Sequence, residues 1–350
     1  MNKLYFLLLF FIGLGAFAQQ PYYEGIDFTL PPVQLYNILQ SKLKDHNAGY
    51  TYGKARDMMK VADEWQEDSS RVVLIYGYND KDHDCTTDYT RDKNEFGGQK
   101  CQYNREHVFP RSLANPSMGQ SNNNTVGIAA DPHNIRASDQ QANQNRGNLR
   151  FGPGKGNARV ISGQHWYPGD EWKGDVARIM MYMYVRYGDR CLPSLVGIGP
   201  SHDKNDMLEL FLEWNIDDPV SYLEIQRNDY IEEVYGNRNP FIDNPYLATL
   251  LWGGKAAEDR WGTLSVAEYA WQESISIYPN LATKSIWVES STDNIDFTYT
   301  LYNLTGNKIR SVKPTTNGKQ EISINGLKPG VYILSIQGGN SSVNRQVLVK

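Results

Sequence analysis

Apolar residues recur at helical spacing through "KGDVARIMMYMYVRYG", where Val176, Ile179, Met180, Met183 and Tyr187 fall on one face of an α-helix. Similar patterning predicts a helix in "DMLELFLEWN" and another in "PVSYLEIQRNDYIEEVYG", the latter closed by Gly236 at a C-terminal cap position. Core packing alone accounts for such stripes, so they carry no chemistry. Residues 119–163 are dominated by Asn, Gln, Gly and Ser, which predicts loop with short ordered pieces. Beyond about residue 274 the period shifts to two: "SIWVES", "FTYTLYNL", "KIRSVK", "QEISING", "VYILSIQ" and "NRQVLVK" alternate between turn residues, the pattern of a small antiparallel sandwich. The expected fold class is α+β, a mainly helical unit over 19–273 followed by an all-β sandwich over 274–350.

Length agrees, since 350 residues suit roughly two or three folding units. The opening "MNKLYFLLLFFIGLGAFAQQ" joins one lysine to an apolar run and then Ala16-Phe17-Ala18, which predicts a signal peptide over 1–18. That run is too short for a comfortable membrane span, and no later segment is apolar enough to cross a bilayer. Export places Cys85, Cys101 and Cys191 in an oxidising compartment. Cys85 and Cys101 bracket a polar loop and are the preferred pair, with Cys191 left over. No C-x-x-C spacing supports a thiolate metal site.

The net charge of −5 argues against a polyanionic partner only until the charges are located. Lys100, Arg105, Arg111, Arg136, Arg146, Arg150 and Lys155 outnumber Glu106, Asp131 and Asp139 between residues 100 and 155, so a local basic face is expected. Inside it lies "CQYNREHVFPRSL". Phosphodiester hydrolysis needs a base for the attacking water and positive charge at the transition state. Glu106 can supply a ligand to a hard cation and His107 the base. Adjacent residues on a strand point to opposite faces, so the two serve one site only where the chain bends or they flank the substrate. The second half of the site is expected in "DPHNIRASDQQANQNRGNLRFG", where a short helix capped by Ser138 would turn Asn143 inward and place Arg146 on the same face.

"NREHVFPRS" followed by "DPHNIRASDQQANQNRGNLRFG" resembles the endonuclease I family of secreted or periplasmic nucleases, and the likeness extends over roughly residues 72–252. The resemblance implies a ββα-metal (His-Me finger) core and cleavage of DNA, with RNA as a further substrate, at little sequence preference and with 5′-phosphate products. It implies Glu106 and Asn143 as ligands of one Mg²⁺, with Mn²⁺ or Ca²⁺ as alternatives. His107 would be the general base and Arg146 a catalytic phosphate contact or support. Arg105, Arg136 and Asn148 are candidate substrate contacts. Ala129 departs from the pattern, standing where many members carry an acidic residue, and Asp131 is the candidate to take over its task of holding a metal-bound water. The tail "YPNLATKSIWVES…LYNLTGNKIRSV…INGLKPGVYILSIQGG" resembles the C-terminal sorting domain of the type IX secretion system. It implies contact with that machinery and a secreted or cell-surface monomer.

Blander readings stand beside these. His133 suits a loop-ordering role better than catalysis, and Arg238 in "YGNRNPFIDNP" suits a buried cap as well as a phosphate contact. The rival functions are a phosphodiesterase for small esters and a non-catalytic nucleic-acid-binding module, the latter disfavoured because Glu106, His107 and Asn143 all remain.

Overall fold

The computed structural model describes residues 21–202, 206–262, 275–279, 281–290, 297–303, 307–312, 319–338 and 341–350. The expected signal peptide and the boundary at 273/274 lie outside the described residues. In the first unit, helices α1 (Pro32–Lys44) and α2 (Tyr52–Ala62) precede a three-stranded antiparallel sheet of β1 (Glu64–Trp65), β2 (Asp68–Val73) and β3 (Thr90–Asp92). Strand β4 (Tyr103–His107) then pairs antiparallel with β5 (Ile135–Asp139), and α3 (Gln140–Arg146) follows directly. Helix α4 (Lys173–Tyr187) is the centre of the larger hydrophobic core.

The three expected helices appear as α4, Glu209–Asp217 and Tyr222–Tyr235. The last opens on a capping box between Ser221 and Glu224, and Gly236 closes it at φ 95°, a left-handed conformation that glycine adopts without Cβ strain. One expectation needs revising: α4 is not amphipathic in its setting, because every residue from Gly174 to Arg186 is buried. Its arginines stay inside by pairing. Arg178 makes a two-point contact with Glu224 (2.6 and 2.8 Å), and Arg186 reaches Asp131 at 2.9 Å.

A buried ion-pair cluster ties β5 to the helices around it. Arg136 lies 3.0 Å from Asp63 at the end of α2 and 2.7 Å from Asp175 on α4, and Arg227 reaches Asp63 at 2.7 Å. Removing one partner strands the others without compensation, which typically costs about 3–5 kcal/mol. Arg136→Ala is therefore expected to lose stability on that scale in urea denaturation, while KM for substrate stays unchanged in the folded fraction.

Cys85 and Cys101 form a disulfide, and Cys191 is free and buried. The bridged loop carries Arg91, which contacts Asp139 at 3.2 Å. Asp139, not Ser138, caps α3: its Oδ1 accepts from the backbone N–H groups of Gln141 (2.8 Å) and Ala142 (3.0 Å), while Ser138 belongs to β5. A carboxylate at the N-terminus also complements the helix dipole.

The second unit is a sandwich. One sheet orders its strands Leu281–Ala282, Ser341–Val349, Gly330–Gly338, Phe297–Asn303 and Lys308–Val312; the other orders Lys319–Ser323, Ser285–Ser290 and Ile275–Tyr278. Pairing is antiparallel except between Leu281–Ala282 and the last strand. Ile286, Val288 and Ile322 from one sheet meet Leu301, Leu334 and Ile336 from the other in one core, as the two-residue alternation requires. No helix among the described residues is long and apolar enough to cross a membrane.

Candidate active site

Two faces of β4 build the site. Side chains alternate along a strand, so Asn104 and Glu106 leave on one side, Arg105 and His107 on the other. The first side meets α3, where Asn143 and Arg146 stand three residues apart on one helical face. Asn143 donates from Nδ2 to Asn104 Oδ1 at 2.7 Å and to the Arg105 carbonyl at 3.4 Å. That orientation leaves its Oδ1 as an acceptor.

Glu106 is buried, and its Oε1 accepts from the Tyr76 hydroxyl at 3.0 Å and lies 3.4 Å from Arg146 Nη1. Burial pushes its carboxyl up to about 7, with the Arg146 charge and the Tyr76 hydrogen bond pulling the other way. Tyr76 holds this contact from φ 75°, a left-handed conformation costly for a bulky residue and persistent only where packing over-determines it. Gly77 follows because a Cβ there would sit 2.1 Å from the Asp88 carbonyl oxygen.

On the other side, His107 Nε2 lies 2.8 Å from the Ala129 carbonyl oxygen. A carbonyl only accepts, so Nε2 carries the hydrogen and Nδ1 keeps the lone pair. Burial lowers the imidazole to about 4, against a smaller opposing effect of the Ala129 carbonyl, so the ring is neutral at physiological pH. It stacks on Tyr52, ring centroids 5.2 Å apart and planes 24° from parallel.

The remaining expected site residues divide. Arg136 is buried, with its guanidinium between the carboxylates of Asp63 and Asp175. Arg146 is fully buried and donates to the carbonyls of His107 (3.2 Å) and Val108 (2.6 Å), with its guanidinium over Phe151, so it braces the end of β4. Arg105 is half-buried, with its guanidinium 3.6 Å from the Tyr52 ring centroid, and Asn148 is exposed, 3.4 Å from Ser112 Oγ. Asp131 cannot replace the acid missing at Ala129, because Tyr187 and Arg186 occupy it at 2.8 and 2.9 Å. His133 is buried against Asn237, and Arg238 is locked by Asp243, Glu232 and Asp229, so both are structural. The basic face is thus thinner than the sequence count implies. Tyr76, Tyr52 and the Ala129 carbonyl are site components that sequence reasoning missed.

Glu106 on β4 and the Asn143 side-chain carbonyl on α3 are hard oxygen donors of the kind a divalent cation that keeps several waters takes. Among the described residues no group of three or more His, Cys, Asp or Glu side chains could hold a metal, so an ion bound at Glu106 would take further ligands from water and substrate. The demand comes from Glu106: only its Oε1 has partners among the described residues, and its buried charge favours a cation nearby.

A neutral imidazole with a free lone pair on one face of β4, and a buried carboxylate with an amide oxygen on the other, are groups that hydrolysis of a phosphodiester uses when the substrate flanks the strand edge. The class follows from the family. The model described as Endonuclease I matches residues 32–246, and the chain belongs to that family: it is a nuclease, a hydrolase of phosphodiester bonds. A second model, described as a secretion system C-terminal sorting domain, matches residues 276–350. The chain is 36% identical over 248 residues to an extracellular ribonuclease of Bacillus subtilis (strain 168), covering 66% of this chain and 78% of that one. It is also 36% identical over 231 residues to an extracellular ribonuclease of Bacillus amyloliquefaciens, covering 61% and 73%. With the type IX sorting tail, these relatives make it a secreted or cell-surface enzyme.

Proposed function

We propose that the protein is a divalent-metal-dependent endonuclease hydrolysing both DNA and RNA with little sequence preference, through a ββα-metal core of β4, β5 and α3. One observation carries the reading: His107 is pinned through Nε2 to the Ala129 carbonyl, which leaves Nδ1 as a proton acceptor, with Glu106 on the opposite face of β4. Nδ1 takes the proton of the attacking water, and the 3′ oxygen leaves, so the products carry 5′ phosphates. Glu106 and Asn143 would hold the ion, whose chemistry there is positive charge against the phosphoryl oxygens and the leaving group. Tyr76 and Arg146 keep Glu106 aimed.

Because water is the nucleophile, no 2′ hydroxyl is needed, and DNA and RNA are equally competent; the names of the two relatives support the RNA arm. Little sequence preference follows if the backbone phosphates carry the affinity. Arg105 and Asn148 remain the candidate contacts to the strand. We also assign residues 1–18 to a signal peptide, 19–273 to the nuclease and 274–350 to the sorting tail of a monomer.

The test is cleavage of supercoiled plasmid and of a long single-stranded RNA by the same preparation, with Mg²⁺, Mn²⁺ or Ca²⁺ and with EDTA. Both substrates are expected to be cut with an ion present and neither with EDTA. Cleavage undiminished by EDTA would remove the ion from the reading. Binding without cleavage under any ion would favour the non-catalytic alternative.

A further inference from the structure

We propose that Tyr52 is a positioning residue for the reaction, its ring setting the plane of the His107 imidazole so that Nδ1 is presented to the attacking water. The inference rests on the reading of His107 as the general base.

Among the described residues the only hydrogen-bond partner of the His107 side chain is the Ala129 carbonyl oxygen. One hydrogen bond through Nε2 leaves the ring free to turn about the line joining the two atoms, and that turn swings Nδ1 away from its target. A second group must remove this freedom. Among the described residues no carboxylate is hydrogen-bonded to the ring to do so; the Tyr52 ring, 24° from parallel and 5.2 Å away, packs on it. Arg105 and His107 are two apart on β4, about 7 Å along a strand and on the same side, and both pack on Tyr52.

Tyr52 is itself held by its backbone. As the first residue of α2 it donates its N–H to the Thr125 carbonyl at 2.7 Å and accepts at its own carbonyl from Arg105 Nη1 at 2.7 Å. Neither contact uses the hydroxyl, which is directed instead to the Ser121 side chain. The ring face is the functional part, so phenylalanine should serve and an aliphatic side chain should not. Tyr52 also belongs to the core beneath β4 and β5, and the test must separate that packing role from positioning.

Cleavage kinetics of Tyr52→Phe and Tyr52→Leu, each alone and with His107→Ala, make that separation. Tyr52→Phe is expected to keep kcat within about 2-fold, and Tyr52→Leu to lose on the order of 10- to 100-fold in kcat. The Mg²⁺ concentration giving half the maximal rate should stay within about 2-fold, because Glu106 and Asn143 are on the other side of β4, while KM is allowed to rise because Arg105 also packs on the Tyr52 ring. On the His107→Ala background, Tyr52→Leu should cost nothing further. Full kcat in Tyr52→Leu, or an undiminished loss without His107, overturns the inference and leaves the base assignment standing. A wild-type rate in His107→Ala overturns the base assignment and this inference with it. If the leucine variant does not fold, Tyr52→Met carries the same expectations.

Discussion

His107→Ala is expected to lower kcat for plasmid nicking by about 10²–10⁴-fold, the usual range for losing a positioned general base. The ring is neutral and, among the described residues, its single hydrogen bond is to the Ala129 carbonyl, so the variant should remain folded and still gain thermal stability from Mg²⁺ through Glu106 and Asn143. Retention of that ion effect alongside lost turnover separates a missing base from a collapsed site. The pH behaviour has a defined sign. Burial holds the free imidazole at about 4, so acidifying from pH 8 to 6 leaves it unprotonated. At saturating ion, the rate should therefore be flat over that range as far as this group is concerned. A base this weak receives its proton at a cost, which the negative charge of the phosphodiester offsets once substrate is bound. A steep loss of kcat between pH 8 and 6 at saturating ion, absent in His107→Ala, would count against a buried, neutral base.

The parts legible in the sequence were those in which local pattern and tertiary role coincide. The helices after residue 170 and the strands of the tail announce themselves by period, and Gly236 ends its helix for a reason visible in its own lack of a Cβ. Strand β5 was not legible. "IRASD" has no alternation, because all five residues are buried, and its arginine and aspartate are satisfied by Asp63, Asp175 and Arg91 from distant parts of the chain. The same effect bears on the arginines. Arg136 and Arg146 look like phosphate ligands in a basic stretch, yet their charges are spent on buried carboxylates and carbonyls. Ala129 shows the converse: its side chain departs from the family pattern, while its backbone oxygen, which any residue at that position supplies, holds His107 Nε2.

Glu106→Gln is expected to abolish cleavage and, in the absence of divalent ion, to raise thermal stability at pH 8. The carboxyl titrates at about 7 in the folded protein against 4.5 for the unperturbed group, because burial penalises its charge. Folding is then favoured where the group is protonated: the benefit is full below the unfolded value and lost as pH rises through about 7. At pH 8 the folded wild type bears a cost of about 3 kcal/mol, from roughly 1.4 kcal/mol per pH unit over this interval. Glutamine removes the charge and keeps the acceptor facing Tyr76. The melting temperature of the variant should exceed that of the wild type by roughly 5–10 °C at pH 8 without ion, and the gap should close as pH falls toward 4.5. Adding Mg²⁺ should reverse the order, since the ion stabilises the wild type by mass action and finds no carboxylate in the variant. The site would then be destabilised in its empty state by the same buried charge that draws the ion in. Equal melting temperatures at pH 8 without ion would mean that Arg146 and Tyr76 already neutralise that charge, and that any affinity for the ion has to come from Asn143 and the substrate phosphates instead.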